Sequence, residues 1–237
     1  MPFAFYVSAG IIPCCITGFT VIATAIAQME TLSLFDAALS GAIAMHTPQS
    51  AMQFFAWITH AGDTLTYTVI CIASAFVMLL QKRYLFASAI ILAIGGNAIL
   101  NRSLKAIFER VRPVHERGLI EYSLGEHCLL ERGVGGYHMV VADGWSFPSG
   151  HTSGAVATYG ILAYILLRLA PRAWHPLILL SAAGLVFTIG SSRIFLQVHY
   201  LSDVIAGFLS GVCWLTVCIV GIRLVDRHQK KNGMVTG

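Results

Sequence analysis

Long runs without charged residues are the feature that most limits what this chain can fold into. The first 29 residues contain no Asp, Glu, Lys or Arg, and several later runs are nearly as bare. A helix that crosses a bilayer needs about 20 mainly apolar residues. Charged residues make up only 11% of the sequence, against roughly 25% in soluble domains. These runs predict an integral membrane protein with an all-α fold.

The apolar runs predict a bundle of six transmembrane helices in a single domain, 1–237. The third span continues as a polar helix to about residue 108, and a long outer loop, 109–147, follows it. Between residues 30 and 63, the apolar spacing in 34–43 and the stretch 53–60 predict short helices along the membrane interface. The predicted spans are 7–28, 64–80, 84–100, 153–169, 174–190 and 204–222.

The distribution of Lys and Arg predicts the orientation of this bundle. Eight of them fall on one side of the six spans, namely Lys82, Arg83, Arg168, Arg172, Arg223, Arg227, Lys230 and Lys231. By the positive-inside tendency, that side and both termini are cytoplasmic. The other seven lie on the outer side and are Arg102, Lys105, Arg110, Arg112, Arg117, Arg132 and Arg193. The positive-inside tendency disfavours cations on the outer side, so their presence there needs another explanation, such as the binding of an anion.

A Pro-Ser-Gly-His stretch at 148–151 places a histidine at the start of the fourth span. Serine and glycine suit the first positions of a helix, where four backbone N–H groups lack a partner inside the helix. Such a helix end attracts anions. The imidazole of His151 would then offer a bound anion a proton donor or a nucleophile. The plainer alternative is an ordinary capped helix with an incidental histidine.

Two further stretches carry charged residues at helical spacing. Lys105 and Arg112 are seven apart, so both could reach one ligand if the helix persists as far as Pro113. His199 and Asp203 are four apart, and on a helix they would lie within hydrogen-bond reach. A carboxylate on one imidazole nitrogen fixes the tautomer and leaves the other nitrogen as a nucleophile.

Each of these pieces also has a plainer interpretation when taken alone. Lys105 and Arg112 could be interfacial anchors, His199 and Asp203 a polar helix start, and Arg193 a span boundary. All of them fall on the same predicted membrane face. Together they amount to a phosphate site with its own nucleophile and proton donor.

The three stretches, in this order, resemble the three motifs of the type 2 phosphatidic acid phosphatase (PAP2) family, in its integral-membrane lipid phosphatase branch. They are Lys105-X6-Arg112-Pro113, Pro148-Ser149-Gly150-His151 and Ser192-Arg193-X5-His199-X3-Asp203. Every signature position is filled, and the motif-bearing core covers about 102–222. The family shares its site with vanadium haloperoxidases and bacterial acid phosphatases.

The resemblance implies a role for each motif residue. His199 attacks phosphorus to give a phosphohistidine, and Asp203 orients it. His151 protonates the leaving alkoxide and later activates water. The implied phosphate-binding residues are Lys105, Arg112, Ser149, Gly150 and Arg193. Fixed cations could neutralise the charge on the phosphate oxygens, as metal ions do in other phosphatases. The sequence also contains no residue spacing typical of a metal site. We therefore expect metal-independent catalysis without a cofactor.

The expected substrate is a membrane lipid that carries a phosphate monoester or diphosphate, such as phosphatidic acid, phosphatidylglycerol phosphate or undecaprenyl diphosphate. A lipid phosphotransferase with the same site, and a non-catalytic transporter of anionic lipid, remain alternatives. We expect no nucleic-acid partner. The expected location is a bacterial inner membrane with the active site on the periplasmic face. The sequence does not give the oligomeric state or the preferred lipid.

Overall fold

Helices make up nearly all of the described chain. The computed structural model describes residues 2–113, 130–133, 136–139 and 144–231. Within these ranges eight α-helices occur, together with two 3-10 turns, Thr59–Gly62 and Arg172–Trp174. The helices are α1 (Pro2–Gln28), α2 (Glu30–His46), α3 (Gln49–Ile58), α4 (Thr64–Leu80), α5 (Tyr84–Phe108), α6 (Gly150–Leu169), α7 (His175–Phe195) and α8 (Leu201–Lys231). The all-α prediction is confirmed.

One short β-hairpin interrupts the helical pattern inside the predicted long loop. Strand β1 (Leu130–Gly133) pairs antiparallel with β2 (Gly136–Met139). This hairpin was not predicted from the sequence. Most of the loop 109–147, including the predicted outer cation Arg117, lies outside the described residues.

The predicted spans correspond to long apolar helices. Within the described residues, five helices are long and apolar enough to cross a membrane, namely Gly10–Gln28, Tyr84–Phe108, Gly150–Leu169, Arg172–Phe195 and Leu201–Gln229. The predicted span 64–80 is α4, whose 17 residues fall short of the usual requirement of about 20. It follows Gln49–Gly62 at a bend of 43°, and counted as one bent span this pair completes the six.

α6 is the central helix, with 61% of its span buried inside the protein. α8 packs against it closely because two glycines present no side chain. A Cβ at Gly207 would lie 2.6 Å from the carbonyl oxygen of Ser149, and a Cβ at Gly211 would lie 3.0 Å from that of Ser153. Small residues allow helices in a membrane to approach in this way. The contact fixes the start of α6 beside the start of α8.

Two asparagines on α5 also face α6. Asn97 and Asn101 are buried, and the side-chain amide of Asn101 donates to the hydroxyl of Ser153 at 3.2 Å. Both side chains therefore point into the bundle. Buried amides need such partners, because an unsatisfied polar group inside a membrane protein is costly.

The bundle has two ends with different chemistry. At one end, which we call the site end, α5 and α7 finish and α6 and α8 begin. α1 also finishes there, since its residue Ala23 packs in one cluster with Phe108 and Phe147. At the opposite end, Arg168 Nη2 lies 3.6 Å from Asp226 Oδ2, where α6 finishes beside the last turns of α8.

The short helices α2 and α3 lie against the site end. The sequence predicts helices at 34–43 and 53–60, whereas the structure extends the first over the whole of α2 and starts the second earlier, at Gln49. Ser40 in α2 donates to Gln197 Oε1 at 2.5 Å. Phe55 in α3 stacks on Phe195 with ring centroids 4.4 Å apart. The two short helices therefore contact the end of α7 and the segment that follows it.

Candidate active site

The three sequence motifs meet at the site end, where Ser149 joins two of them. Its backbone N–H donates to the carbonyl oxygen of Asp203 at 3.0 Å. Its hydroxyl caps α6 by accepting from the backbone N–H of Thr152 at 3.4 Å, as serine commonly does at a helix start. The beginnings of α6 and α8 are thereby held side by side.

His199 is a buried side chain with a defined tautomer. Its Nε2 lies 3.2 Å from Arg112 Nη1, and a guanidinium can only donate. The Nε2 atom must therefore be the acceptor, which places the imidazole proton on Nδ1. That nitrogen lies 3.5 Å from Asp203 Oδ2, although it makes no hydrogen bond of standard geometry within the described residues. The lone pair of His199 consequently faces the cations.

Burial lowers the pKa of His199 well below its usual value, and the neighbouring cations lower it further. Of these, Arg112 has the largest effect, followed by Arg193 and Lys105. Removing a group from water disfavours its charged form, and so does a nearby like charge. His199 is therefore neutral and nucleophilic at neutral pH.

His151 has a different carboxylate partner. Its Nε2 lies 3.0 Å from Asp63 Oδ1, and the side chain is 23% exposed. The other carboxylate oxygen of Asp63 lies 2.8 Å from Nδ1 of His60, which is 73% exposed. Sequence analysis did not single out Asp63 or its contact with His151.

Three cations surround the space between the two histidines. Lys105 Nζ donates to the carbonyl oxygen of Trp145 at 2.6 Å, and Arg112 Nη1 donates to that of Val198 at 2.8 Å. Arg193 is 3% exposed and donates from Nη1 to the hydroxyl of Thr59 at 2.5 Å. Its Nε is buried without a partner in the described chain. An anion between the histidines would supply this missing acceptor.

The conditions for two helical arrangements considered from the sequence are not met, although α5 ends where it was predicted to end. α5 ends at Phe108, and Glu109 after it adopts a left-handed conformation with φ 43°, so Lys105 and Arg112 do not share one helix. α8 begins only at Leu201, so His199 lies in the preceding turn and not one helical turn before Asp203. Both pairs still converge, because the short non-helical segments fold back over the site.

The cations and histidines line a cavity of about 680 Å³. Its polar lining includes Lys105, Arg112, Gly150, His151, Arg193 and His199, together with Arg102. The cavity continues between α4 and α5 along apolar residues, among them Ile72, Ile94 and Ala98. Ser149, which the resemblance implies as a phosphate ligand, is wholly buried and caps α6 behind this wall. Ligand pockets that join convergent polar groups to an apolar lining in this way are common in proteins.

A family model supports the same assignment. The model of the PAP2 superfamily matches residues 83–225, which is more than half of the chain and includes all three motifs. The chain belongs to the PAP2 superfamily. It is an integral membrane phosphatase of the PAP2 type.

Similar proteins agree with the family. The chain is 26% identical over 201 residues to phosphatidylglycerophosphatase B of Bacillus subtilis (strain 168). The matched region covers 82% of this chain and 86% of the relative. Its fold is similar to the crystal structure of a transmembrane PAP2-type phosphatidylglycerolphosphate phosphatase from Bacillus subtilis. That match has a TM-score of 0.74 and 24% identity, and it covers 90% of this chain and 96% of the other.

The fold is also similar to the crystal structure of LpxE from Aquifex aeolicus. Here the TM-score is 0.52 and the identity is 23%, with 77% of this chain and 93% of the other covered. The helical arrangement that presents the PAP2 motifs is thus shared with solved membrane proteins.

A buried ion network lies directly behind Asp203 in this PAP2 site. Arg110 donates from Nη1 to Asp203 Oδ1 at 2.6 Å and from Nη2 to Asp36 Oδ2 at 2.8 Å. All three side chains are at most 9% exposed. The hydroxyl of Ser202 also donates to the carboxylate of Asp36. Since Asp36 belongs to α2, the network connects this short helix to the PAP2 motifs.

Burial lowers the pKa of Arg110, but the charges and hydrogen bonds of Asp203 and Asp36 outweigh it and raise the pKa overall. Arg110 therefore remains charged and compensates two buried carboxylates. Sequence analysis counted Arg110 only as an outer cation and did not single out Asp36. The one available signal was an acidic residue inside an otherwise apolar helical pattern.

The described residues contain no group of three or more His, Cys, Asp or Glu side chains placed to hold one metal ion. His115 and His127 fall outside the described residues. The charged residues that line the described cavity are the three cations of the motifs, the two histidines and Arg102. This arrangement suits a reaction in which negative charge on phosphate oxygens must be offset.

Proposed function

We propose that this PAP2 phosphatase hydrolyses a phosphate monoester or diphosphate of a membrane lipid through a phosphohistidine intermediate on His199. The observation that carries the proposal is the arrangement of His199, whose Nε2 lone pair faces the cavity that the three cations of the motifs line. A neutral imidazole in that position can attack phosphorus, while the cations hold the non-bridging oxygens.

In the first step His199 Nε2 forms a bond to phosphorus and the bond to the leaving oxygen breaks. His151 gives its proton to that oxygen, so a monoester releases the lipid alcohol and a diphosphate releases the lipid monophosphate. In the second step His151 takes a proton from water, the water oxygen bonds to phosphorus, and the phosphorus–nitrogen bond breaks. Inorganic phosphate is released, and both histidines return to their starting states. Asp203 supports the positive charge that develops on His199 during the first step.

Lys105, Arg112 and Arg193 offset the charge of the equatorial oxygens during transfer. The backbone N–H of Gly150 adds a donor at the start of α6, where the helix dipole favours an anion. Ser149 acts mainly by capping α6, and its hydroxyl adds a phosphate contact only when that cap is given up. With these groups in place the reaction needs no metal ion.

The substrate class follows from the shape of the cavity. Its polar end fits a phosphate, and its apolar continuation between α4 and α5 fits the first part of a lipid chain. Phosphatidic acid, phosphatidylglycerol phosphate and undecaprenyl diphosphate all have this form. Similar proteins are named as phosphatases of phosphatidylglycerol phosphate, so this lipid should be among the substrates tested.

We further propose that the site end faces the periplasm of a bacterial inner membrane and that residues 1–237 act as one domain. The opposite end carries Lys82, Arg83, Arg168 and Arg172 and the basic residues of the last helix. By the positive-inside tendency this end is cytoplasmic, together with both termini.

Phosphate release from purified protein tests the proposal. The panel contains phosphatidic acid, phosphatidylglycerol phosphate and undecaprenyl diphosphate, and His199→Ala is the control. We expect release by the unchanged protein and none by the variant. A radiolabelled phosphoryl group should be trapped on His199 by rapid denaturation at alkaline pH. A new phosphate ester in place of free phosphate would identify a phosphotransferase, and lipid transport that survives His199→Ala would identify a transporter.

A further inference from the structure

Asp63 occupies the residue before α4 but does not act as a helix cap. An Asp at this position usually accepts a hydrogen bond from the first turn of the helix, yet the side chain of Asp63 makes no such bond. Its carboxylate lies instead 3.0 Å from His151 Nε2 and 2.8 Å from His60 Nδ1. The neighbouring residues Gly62 and Thr64 line the cavity of the candidate site. The carboxylate of Asp63 therefore contacts two histidines at the candidate site instead of capping α4.

We propose that Asp63 is a specificity-determining residue that makes this enzyme prefer lipid phosphate monoesters to lipid diphosphates. The inference rests on the proposed function, in which His199 is the nucleophile and His151 protonates the leaving group. In that reaction the leaving oxygen lies opposite His199 and next to His151. Asp63, in hydrogen-bond contact with His151, is then the nearest carboxylate to the leaving group.

A monoester benefits from this carboxylate. Its leaving group is an alkoxide, which must receive a proton as the bond to phosphorus breaks. Asp63 stabilises the protonated imidazole of His151 against burial beside Arg193 and Arg112, because an opposite charge within hydrogen-bond distance favours the charged form. Without Asp63 the protonated form of His151 would be still less favoured, and a poor leaving group would receive its proton less readily.

A diphosphate is disfavoured by the same carboxylate. Its leaving group is a lipid phosphate, which is already negatively charged and departs with little help from an acid. Repulsion between two like charges about 6 Å apart in a partly exposed site would slow cleavage of the diphosphate roughly threefold to a hundredfold. Within the described chain no Lys or Arg forms an ion pair with Asp63, whose partners are His60 and His151. The charge of Asp63 is therefore offset only by the two imidazoles when they are protonated and, at longer range, by Arg193, so part of it still acts on the leaving group.

The test compares phosphatidic acid with diacylglycerol diphosphate that carries the same acyl chains, in the same detergent micelles. The measured quantity is the ratio of kcat/KM for the monoester to that for the diphosphate, which does not depend on the folded fraction of a variant. For Asp63→Asn, which keeps the size of the side chain, we expect the ratio to fall about tenfold. Asp63→Glu retains the charge and should keep the ratio within about threefold of the unchanged enzyme.

A matched control is Glu30→Gln, which removes one acidic charge at the start of α2, also at the site end. We expect no change in the ratio for this variant. Equal losses on both substrates in Asp63→Asn would overturn the specificity inference, since a purely structural role lowers both rates together. A wild-type ratio that favours the diphosphate would also overturn it. Failure of the unchanged enzyme to cleave either lipid would instead refute the proposed function.

Discussion

The two histidines of the site have carboxylate partners in opposite surroundings. His199 and Asp203 are almost wholly buried, and Arg110 compensates the carboxylate from behind. His151 and Asp63 are partly exposed, and the second oxygen of Asp63 contacts an imidazole at the surface. One histidine–aspartate pair is thus enclosed by protein, and the other lies at the open side of the cavity.

This difference matches the two parts of a phosphoryl transfer. A nucleophile gains from a fixed position and from exclusion of water, because both the geometry and the electrostatic effect of the cations are then preserved. A group that protonates one molecule and deprotonates another must be reached by the departing lipid and by water. The enclosed pair suits the first task, and the open pair suits the second.

The largest expected effect separates the two histidines. His199→Ala should reduce phosphate release by about a thousandfold or more for monoesters and diphosphates alike, because no covalent intermediate can form. His151→Ala should reduce monoester hydrolysis by about 10²-fold to 10⁴-fold and diphosphate hydrolysis by less, because that leaving group needs less protonation. Initial rates on the two lipids measure both effects. Equal losses on both substrates in His151→Ala would contradict the division of tasks.

The next effect concerns the enclosed pair. Arg110→Met leaves Asp203 and Asp36 buried and facing each other without a counter-ion, and such a change typically costs about 3–5 kcal/mol. We expect a clearly lower Tm in detergent and a large loss of activity. Arg172→Met, which removes an exposed Arg at the opposite end, is the control and should leave the Tm unchanged. An unchanged Tm in Arg110→Met would show that the network does not stabilise the site.

A smaller effect is expected in the pH dependence. Because the pKa of His199 is held well below its usual value, the nucleophile stays neutral as the pH falls through about 6.5. The acidic limb of the kcat/KM profile should therefore lie below that pH. In Arg112→Gln one of the cations that depress this pKa is missing, so the pKa rises and the limb moves to higher pH. The kcat/KM profiles of the unchanged enzyme and of Arg112→Gln are measured on the same lipid, so that ionisation of the substrate affects both equally. An acidic limb at the same pH in both proteins would refute this account.

The smallest expected effect is that of a chelator. If cations of the protein neutralise the phosphate, EDTA should leave the rate on phosphatidic acid unchanged within experimental error. The check is phosphate release before and after dialysis against EDTA, followed by addition of Mg²⁺. A loss of activity that Mg²⁺ restores would show that the three cations do not suffice.

The spans and the motifs could be predicted because their signals are local in the sequence. Apolar runs gave the helices to within a few residues, except that α8 continues to Lys231 well beyond the predicted 222. The convergence of His199 with Asp203 was also expected, although it arises in a turn before α8.

The ion pairs around the motifs could not be predicted in the same way. Asp36 and Arg110 are 74 residues apart, and Asp63 and His151 are 88 apart. Nothing in the spacing of either pair indicates a contact, because each depends on how separate helices pack. The end of α5 at Phe108, by contrast, was predicted, since the polar extension of the third span was expected to reach about residue 108.

The bond between Asp36 and Arg110 determines how much of the chain a working catalyst must contain. Residues 83–225 match the family model, yet the carboxylate that accepts from Arg110 Nη2 comes from an earlier helix. A shortened protein that begins after α2 would keep every signature residue and still leave two buried donors beneath its nucleophile, Arg110 Nη2 and the hydroxyl of Ser202, without their acceptor. Grafting the motif segment onto another membrane scaffold would meet the same difficulty unless an equivalent acid were supplied.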